Sequence, residues 1–348
     1  MGSAFDPIPE TTVFLASPIL YFLRPLYASL SSFRTPPQTR LPSQPPVRVV
    51  CISDTHNLQD TLRSVPDGDI LIHAGDLTDG GTTAEIQAAI DWVKGLPHAH
   101  KVVIAGNHDS WFDKDVRPHL PDPKDQETTL DWGEIRYLEN TTLTLSIHSR
   151  TFTLHGIPQI PSLDPTPPSP SNLHAFQYAP EVTTPYPEPP SSTDILIAHS
   201  PASCHLDNFP CSPGSTHLLS TLWNVKPALF IHGHVHMSAG IERAYYDSPQ
   251  RRLEGMMARR REGGEVWERK GKGRGVWWWV FTQAGFWKDL FGVRAWWGAA
   301  CVVLGVVREL FLGRTGNGIG KEGWIVNAAC LDGRGSGRLV GKGVVIEI

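Results

Sequence analysis

The 348-residue chain is 40% apolar and 19% charged, and its 31 Lys and Arg against 35 Asp and Glu leave a net charge of −4. That length and apolar content support a buried core and exclude a globally disordered chain, while the near-balanced charge argues against a dedicated nucleic-acid binder. Five cysteines (Cys51, Cys204, Cys211, Cys301 and Cys330) stand apart without CxxC spacing. This excludes a disulfide framework or zinc ribbon and makes a reducing, cytoplasmic compartment the default.

Residues 1–45 read as a leader and linker. Val13–Leu23 is apolar, but Pro18 interrupts it and Arg24-Pro25 closes it. It is shorter than the ~20 apolar residues of a membrane span. The acidic start MGSAFDPIPE makes a poor signal peptide, and Asp6 spoils a myristoylation signal. Two readings stand: an unstructured arm with one greasy segment, or a short membrane-surface anchor. Pro and small polar residues over 34–47 read as a linker.

A domain over 46–348 follows, with an α/β pattern. Val47–Ile52, Asp69–His73 and Lys101–Ala105 are short apolar runs of the buried-strand kind. Between the last two, Thr82 to Glu85 signals a helix start. Ile86, Ala89, Ile90 and Val93 recur at helical spacing before Gly95 and Pro97 end the run. Leu143–Ile147 and Thr151–Leu154 read as a hairpin. Asp194–Ala198 and Ala228–Ile231 read as buried strands with a helix over His217–Trp223 between them. Trp324–Ala328 and Val344–Ile348 close the chain as strands.

Two stretches break this rhythm. Residues 158–190 hold 11 Pro in 33 positions, so 158–192 reads as an irregular surface insertion. Residues 240–323 begin with a basic stretch to Arg274 and continue into Val276–Leu312, rich in Trp and aliphatic residues. This second insertion reads as an added helical subdomain, a translated non-coding stretch, or a surface for a membrane or partner.

Polar residues gather where strands should end. The runs lead into Asp54 and His56, into Asp76, into Asn107, into His199, and into His234 and His236. Ligands in α/β sheets collect at the carboxyl ends of strands. Carboxylate and amide oxygens mixed with imidazoles suit divalent Mn, Fe or Zn. Seven such groups exceed the needs of one tetrahedral ion, so two metals sharing a carboxylate is the economical reading.

In this order, Asp54-x-His56, Gly75-Asp76, Gly106-Asn107-His108-Asp109, His199 and Gly233-His234-Val235-His236 resemble the calcineurin-like metallophosphoesterases. ISDTHN, DILIHAGDLTDGG, IAGNHD, ILIAHSP, HGHVH and VNAAC resemble the metallophosphoesterase-domain-containing subgroup most. The resemblance covers about 48–157, 193–238 and 324–348. It implies an α/β fold, a four-layer α-β-β-α sandwich interrupted by the two insertions. It implies one metal on Asp54, His56 and His236, a second on Asn107, His199 and His234, and Asp76 bridging them. The metals would be two divalent ions, Mn first, with Fe or Zn as alternatives. A hydroxide between them would attack phosphorus, and His108 would stabilise charge or protonate the leaving oxygen. Asp79 is either a carboxylate that orients His108 or a plain turn residue.

Two departures qualify the resemblance. Gly80 stands in GDLTDGG where the protein-phosphatase branch carries an Arg phosphate clamp. This points toward small phosphate esters, phosphodiesters such as cyclic nucleotides among them. The long segment after HGHVH replaces a short loop, and is read as a lid for the site or as damage to the fold. The implied partner is a small phosphate ester. Membrane-surface contact through 13–23 and 276–312 is the further expectation, and no basic stripe flanks the motifs to bind nucleic acid. The rival reading is a catalytically weak metal-binding scaffold that presents the Trp-rich insertion.

Overall fold

The computed structural model describes residues 10–62, 64–122, 124–127, 129–162, 174–179, 182–209, 214–262, 284–312, 322–333 and 337–348. Two sheets lie face to face. The first runs β13 (Val344–Glu347), β1 (Arg48–Ile52), β2 (Ile70–Ala74), β3 (His100–Ile104) and β4 (Arg136–Tyr137). β1 to β4 are parallel, and β13 is antiparallel on the edge. The second runs β11 (Gly240–Ala244), β12 (Gly323–Asn327), β10 (Leu229–His232), β9 (Ile195–Ala198), β6 (Arg150–Ile157) and β5 (Thr141–Ile147). Its four inner strands are parallel, and β5 and β11 cap the two edges antiparallel. A short parallel pair, β7 (Ile160–Pro161) with β8 (Gln177–Tyr178), stands apart.

The period-2 geometry of a strand explains why these runs are apolar throughout. Val49 and Cys51 point into the core between the sheets, where they meet Leu154, Ile197, Ile231 and Val326. Val50 and Ile52 point outward, under Ile86, Ala89, Ile90 and Val93 of the Thr83–Gly95 helix. That helix starts on a capping box: Thr82 accepts from the Glu85 N–H and Glu85 accepts from the Thr82 N–H. On the far side, Leu218 and Leu222 of the Thr216–Val225 helix cover Leu196, Phe230 and Ile325. Each buried aliphatic side chain contributes roughly 1.5–3 kcal/mol. The layers are therefore helix, sheet, sheet, helix, as the resemblance implied.

The leader differs from the unstructured arm its composition allowed. Glu10–Ala16 and Pro18–Ser32 are helices. Pro18 does not break the apolar run; it sits in the first turn, where a helix has no use for the missing N–H, and Ser17 caps it. Ile19, Leu20, Leu23 and Tyr27 pack against Leu253, Met256 and Met257 of the Ser248–Glu262 helix and Val302 and Val306 of the Val293–Leu312 helix. Ser17 Oγ and the Ile19 N–H both donate to Asp289, which also pairs with Arg260. Leader and Trp-rich insertion thus form one helical layer, together with the Ala284–Phe291 helix. Of the second insertion, residues 263–283 and 313–321 lie outside the described residues, as do 163–173 and 180–181 of the first.

The second insertion also starts later than expected. Residues 240–244 form the edge strand β11, paired from Gly240 opposite Asn327 to Ala244 opposite Gly323. The inserted chain therefore leaves after Ala244 and returns before Gly323, and the ladder closes beneath it. Five extended residues carry the chain about 17 Å from the HGHVH loop before it departs. The insertion is rooted at the end of the sheet opposite the HGHVH loop, and β11 and β12 pair without interruption beneath it.

Candidate metal centre

Asp54 and His56 follow β1, Asp76 follows β2, Asn107 and His108 follow β3, His199 follows β9, and His234 and His236 follow β10. Because these strands are parallel within each sheet, their carboxyl ends meet at one edge of the sandwich. Asp54 (φ 56°), His56 (φ 44°), Asp76 (φ 53°) and His234 (φ 68°) all hold left-handed backbone. Each such residue costs of order 1–3 kcal/mol and persists only where the surroundings over-determine it. Here the ladders do so. Two glycines permit the close approach. A Cβ on Gly106 would lie 2.3 Å from Asp76 Oδ1, and one on Gly233 would lie 2.2 Å from Asp54 Oδ2.

The structure brings all seven expected side chains together. One ligand atom each from Asp54, His56 and His236 lies within a 4.8 Å group, and Asp76, His199 and His234 form a second. Asp76 Oδ2 links them, 3.5 Å from His56 Nε2 and 3.3 Å from His199 Nε2. Asn107 Oδ1 lies 3.2 Å from the same His199 nitrogen. Asp54 accepts the His234 N–H at 3.0 Å and faces His236 Nε2 at 3.1 Å.

The donor set fits cations. His199 Nδ1 is engaged by the Ala74 carbonyl at 2.8 Å, so Nε2 faces two oxygens, Asp76 Oδ2 and Asn107 Oδ1. Only a proton or a metal relieves that repulsion. Burial works against the proton, yet Asp76 outweighs it and pushes the His199 pKa up to about 9. His56 Nε2 is buried with no hydrogen-bond partner. Burial lowers the His56 pKa, and burial followed by the nearby His199 pushes His234 down to about 3, so both imidazoles are neutral lone-pair donors. Burial opposes ionisation of Asp54, but the His236 hydrogen bond and charge hold its carboxyl below the usual range. Asp76 is likewise lowered, by His199 and His108 against burial. Ionised carboxylates and neutral imidazoles are the forms a divalent cation binds.

His108 and Asp79 sit together, but not as the orienting-carboxylate reading had it. The Asp79 backbone carbonyl, not its carboxylate, takes the His108 Nδ1–H at 3.0 Å. The carboxylate is 73% exposed and stands 3.8 Å from that nitrogen. Asp109 is structural: it accepts the N–H groups of Leu77, Thr78 and Gly106 and the Thr78 hydroxyl, stapling the β2 and β3 loops. His73 is spent on Thr55, and His232 on the Gly233 carbonyl.

His174 was missed by sequence reasoning. It lies within the first insertion, yet its Nδ1 is 3.2 Å from Asn107 Nδ2 and its ring is 5.2 Å from that of His108. Ala175 N–H donates to the Asn107 carbonyl, and Phe176 N–H to Asp113. The one signal available was His-Ala-Phe surfacing in a Pro-rich run.

Fold and site together define an α-β-β-α sandwich with a candidate metal centre at one edge. The calcineurin-like phosphoesterase profile matches residues 47–238, and the chain belongs to that family. Over 217 residues it is 31% identical to metallophosphoesterase domain-containing protein 1 of Homo sapiens, covering 56% of this chain and 62% of that one. A UPF0046 protein of Caenorhabditis elegans is 33% identical over 202 residues, 57% of this chain and 66% of its own. The probable rhamnogalacturonate lyase C of Emericella nidulans is 40% identical over 214 residues, 61% of this chain but 19% of that protein. This chain therefore spans less than two thirds of each relative's length. The lyase activity in the last name belongs to a protein of which a fifth is matched, and is not carried over. Among the described residues, no helix is long and apolar enough to cross a membrane.

Proposed function

We propose that the chain hydrolyses small phosphodiesters, cyclic nucleotides among them, at a centre of two divalent cations. One observation carries this reading: the two three-residue groups meet at a single carboxylate oxygen, Asp76 Oδ2. Asp54, His56 and His236 would hold one ion, and Asn107, His199 and His234 the other, with Asp76 between. When bound, such ions supply Lewis-acid stabilisation of phosphoryl charge and an activated water.

The chain's own groups do the rest. His108 has Nδ1 committed to the Asp79 carbonyl. Its Nε2 is left to hand a proton to the leaving oxygen. Gly80 offers no guanidinium at the clamp position of phosphoprotein phosphatases, which supports a substrate with less charge to grip.

The test is hydrolysis of bis-p-nitrophenyl phosphate against p-nitrophenyl phosphate and cyclic AMP, with Mn²⁺ supplied. The wild type should prefer the diesters, and Asp76→Asn and His108→Ala should lose turnover. Equal rates in all three proteins would remove the proposal. Metal uptake without turnover on any ester would instead favour a binding scaffold.

A further inference from the structure

The helical layer does not close its own surface. The Val293–Leu312 helix is apolar nearly all round, a pattern that needs cover on both sides. Val302 and Val306 are buried against Leu20, Leu23, Leu253 and Met257, which covers one side. The other side is open. Val293 (81%), Trp296 (57%), Trp297 (69%), Leu304 (65%) and Phe311 (83%) are all exposed. At 3.6 residues per turn, Val293, Trp297, Leu304 and Phe311 fall in one stripe, with Trp296 beside it.

The leader extends this strip. Rings touch in sequence from Phe22 to Phe14, Phe286, Trp287 and Phe291, with centroid separations of 6.1, 6.2, 5.3 and 5.8 Å. Both ends of that run, Phe22 and Phe291, are exposed. Two apolar segments far apart in the chain thus make one continuous surface, of a kind that seldom stays bare.

The charges around the strip are mostly basic; Glu10, bonded to Tyr21 beside Phe14 and Phe22, borders its leader end. Among the described residues of 286–311, the exposed charges are basic, Lys288, Arg294 and Arg308, and Glu309 is half-buried beside Arg308. The other acid of the stretch, Asp289, is buried against Arg260 and Ser17. Next to the arginines on the helix circumference comes Gly298, which lines a cavity of about 720 Å³. Lys226, Arg251, Arg252 and Arg259 line it too, and its single acid, Asp247, is engaged by Arg34 at 2.6 Å.

We propose that this layer is a peripheral dock for an anionic lipid bilayer. The aromatic strip seats at the headgroup boundary, where Trp rings are favoured, and the basic cavity takes a lipid phosphate. A second copy of the chain fits less well, because self-docking leaves the four basic groups of the cavity facing no matching set of acids. The helix lies on the bilayer and does not span it. The insertion is rooted at the sheet end away from the metal centre.

The test is co-sedimentation of the full chain with phosphatidylcholine vesicles, with and without phosphatidylserine. Binding is expected only to the anionic vesicles, with release in high salt. Trp296→Ser/Trp297→Ser should abolish it, and Lys288→Glu/Arg294→Glu should cut it about tenfold or more. Both variants should keep wild-type melting temperature and metal content. Four results would overturn the proposal: no binding to either vesicle, equal binding to both, variants that bind as the wild type does, or a dimer that the Trp variant alone dissolves.

Discussion

The metal centre and the helical layer handle polarity in opposite ways. At the centre, Asp54, Asp76 and His199 are almost wholly buried, and backbone strain is held in place by strand ladders. In the helical layer, tryptophans and phenylalanines face solvent, and the contacts are apolar and far apart in sequence. The difference teaches how each region is kept. Strands parallel on both sides fix their ends, so they tolerate left-handed aspartates and clustered charge. Helices held by side-chain packing carry no comparable backbone constraint.

The comparison sharpens if chemistry and stability separate on mutation. His108→Ala should lower kcat by about 10²–10⁴ while leaving metal content and melting temperature unchanged. Loss of metal in that variant would make His108 a ligand. In the other region, Leu20→Ala should cost about 2–5 kcal/mol of stability, because its side chain is 1% exposed in the helical core. Denaturant titration reads this, and kcat at 25 °C should not move. A matching fall in kcat would show that the two regions are coupled.

A subtler test uses the seam between them. His205 is held between Glu242 of β11 at 3.1 Å and Glu254 of the Ser248–Glu262 helix at 2.9 Å. Burial opposes its charge, but the two carboxylates raise its pKa well above the ordinary value. A raised folded-state pKa gives stability that is complete below the unfolded value and is lost as the pH climbs through the folded one. Alkaline pH should therefore lower the melting temperature of the wild type more than that of His205→Gln. Parallel curves would contradict this. The smallest effect belongs to Asp79. Asp79→Ala keeps the backbone carbonyl that holds His108, so kcat should fall at most about fivefold.

Much of the site was legible because its residues follow the strands directly, where apolar runs such as ILIHA stop at Gly-Asp. The strands and the Thr82 cap were legible for the same local reasons. What stayed hidden was non-local or masked by composition. Nothing in Pro18–Ser32 names a partner at Val302, since apolar helix faces pack without a positional code. β11 reads as polar because it is an edge strand with one face in water. His174 lay inside a Pro-rich run whose composition promised no contact with Asn107. Neither reading of Asp79 named its carbonyl, because sequence names side chains, whereas the backbone makes this bond.

The most direct test of the central claim is metal stoichiometry by elemental analysis of the full chain after reloading with Mn²⁺ and desalting. Two equivalents per chain are expected, with His56→Ala losing one and Asp76→Asn weakening both. One equivalent or fewer in the reloaded wild type would contradict a site built around a shared carboxylate oxygen.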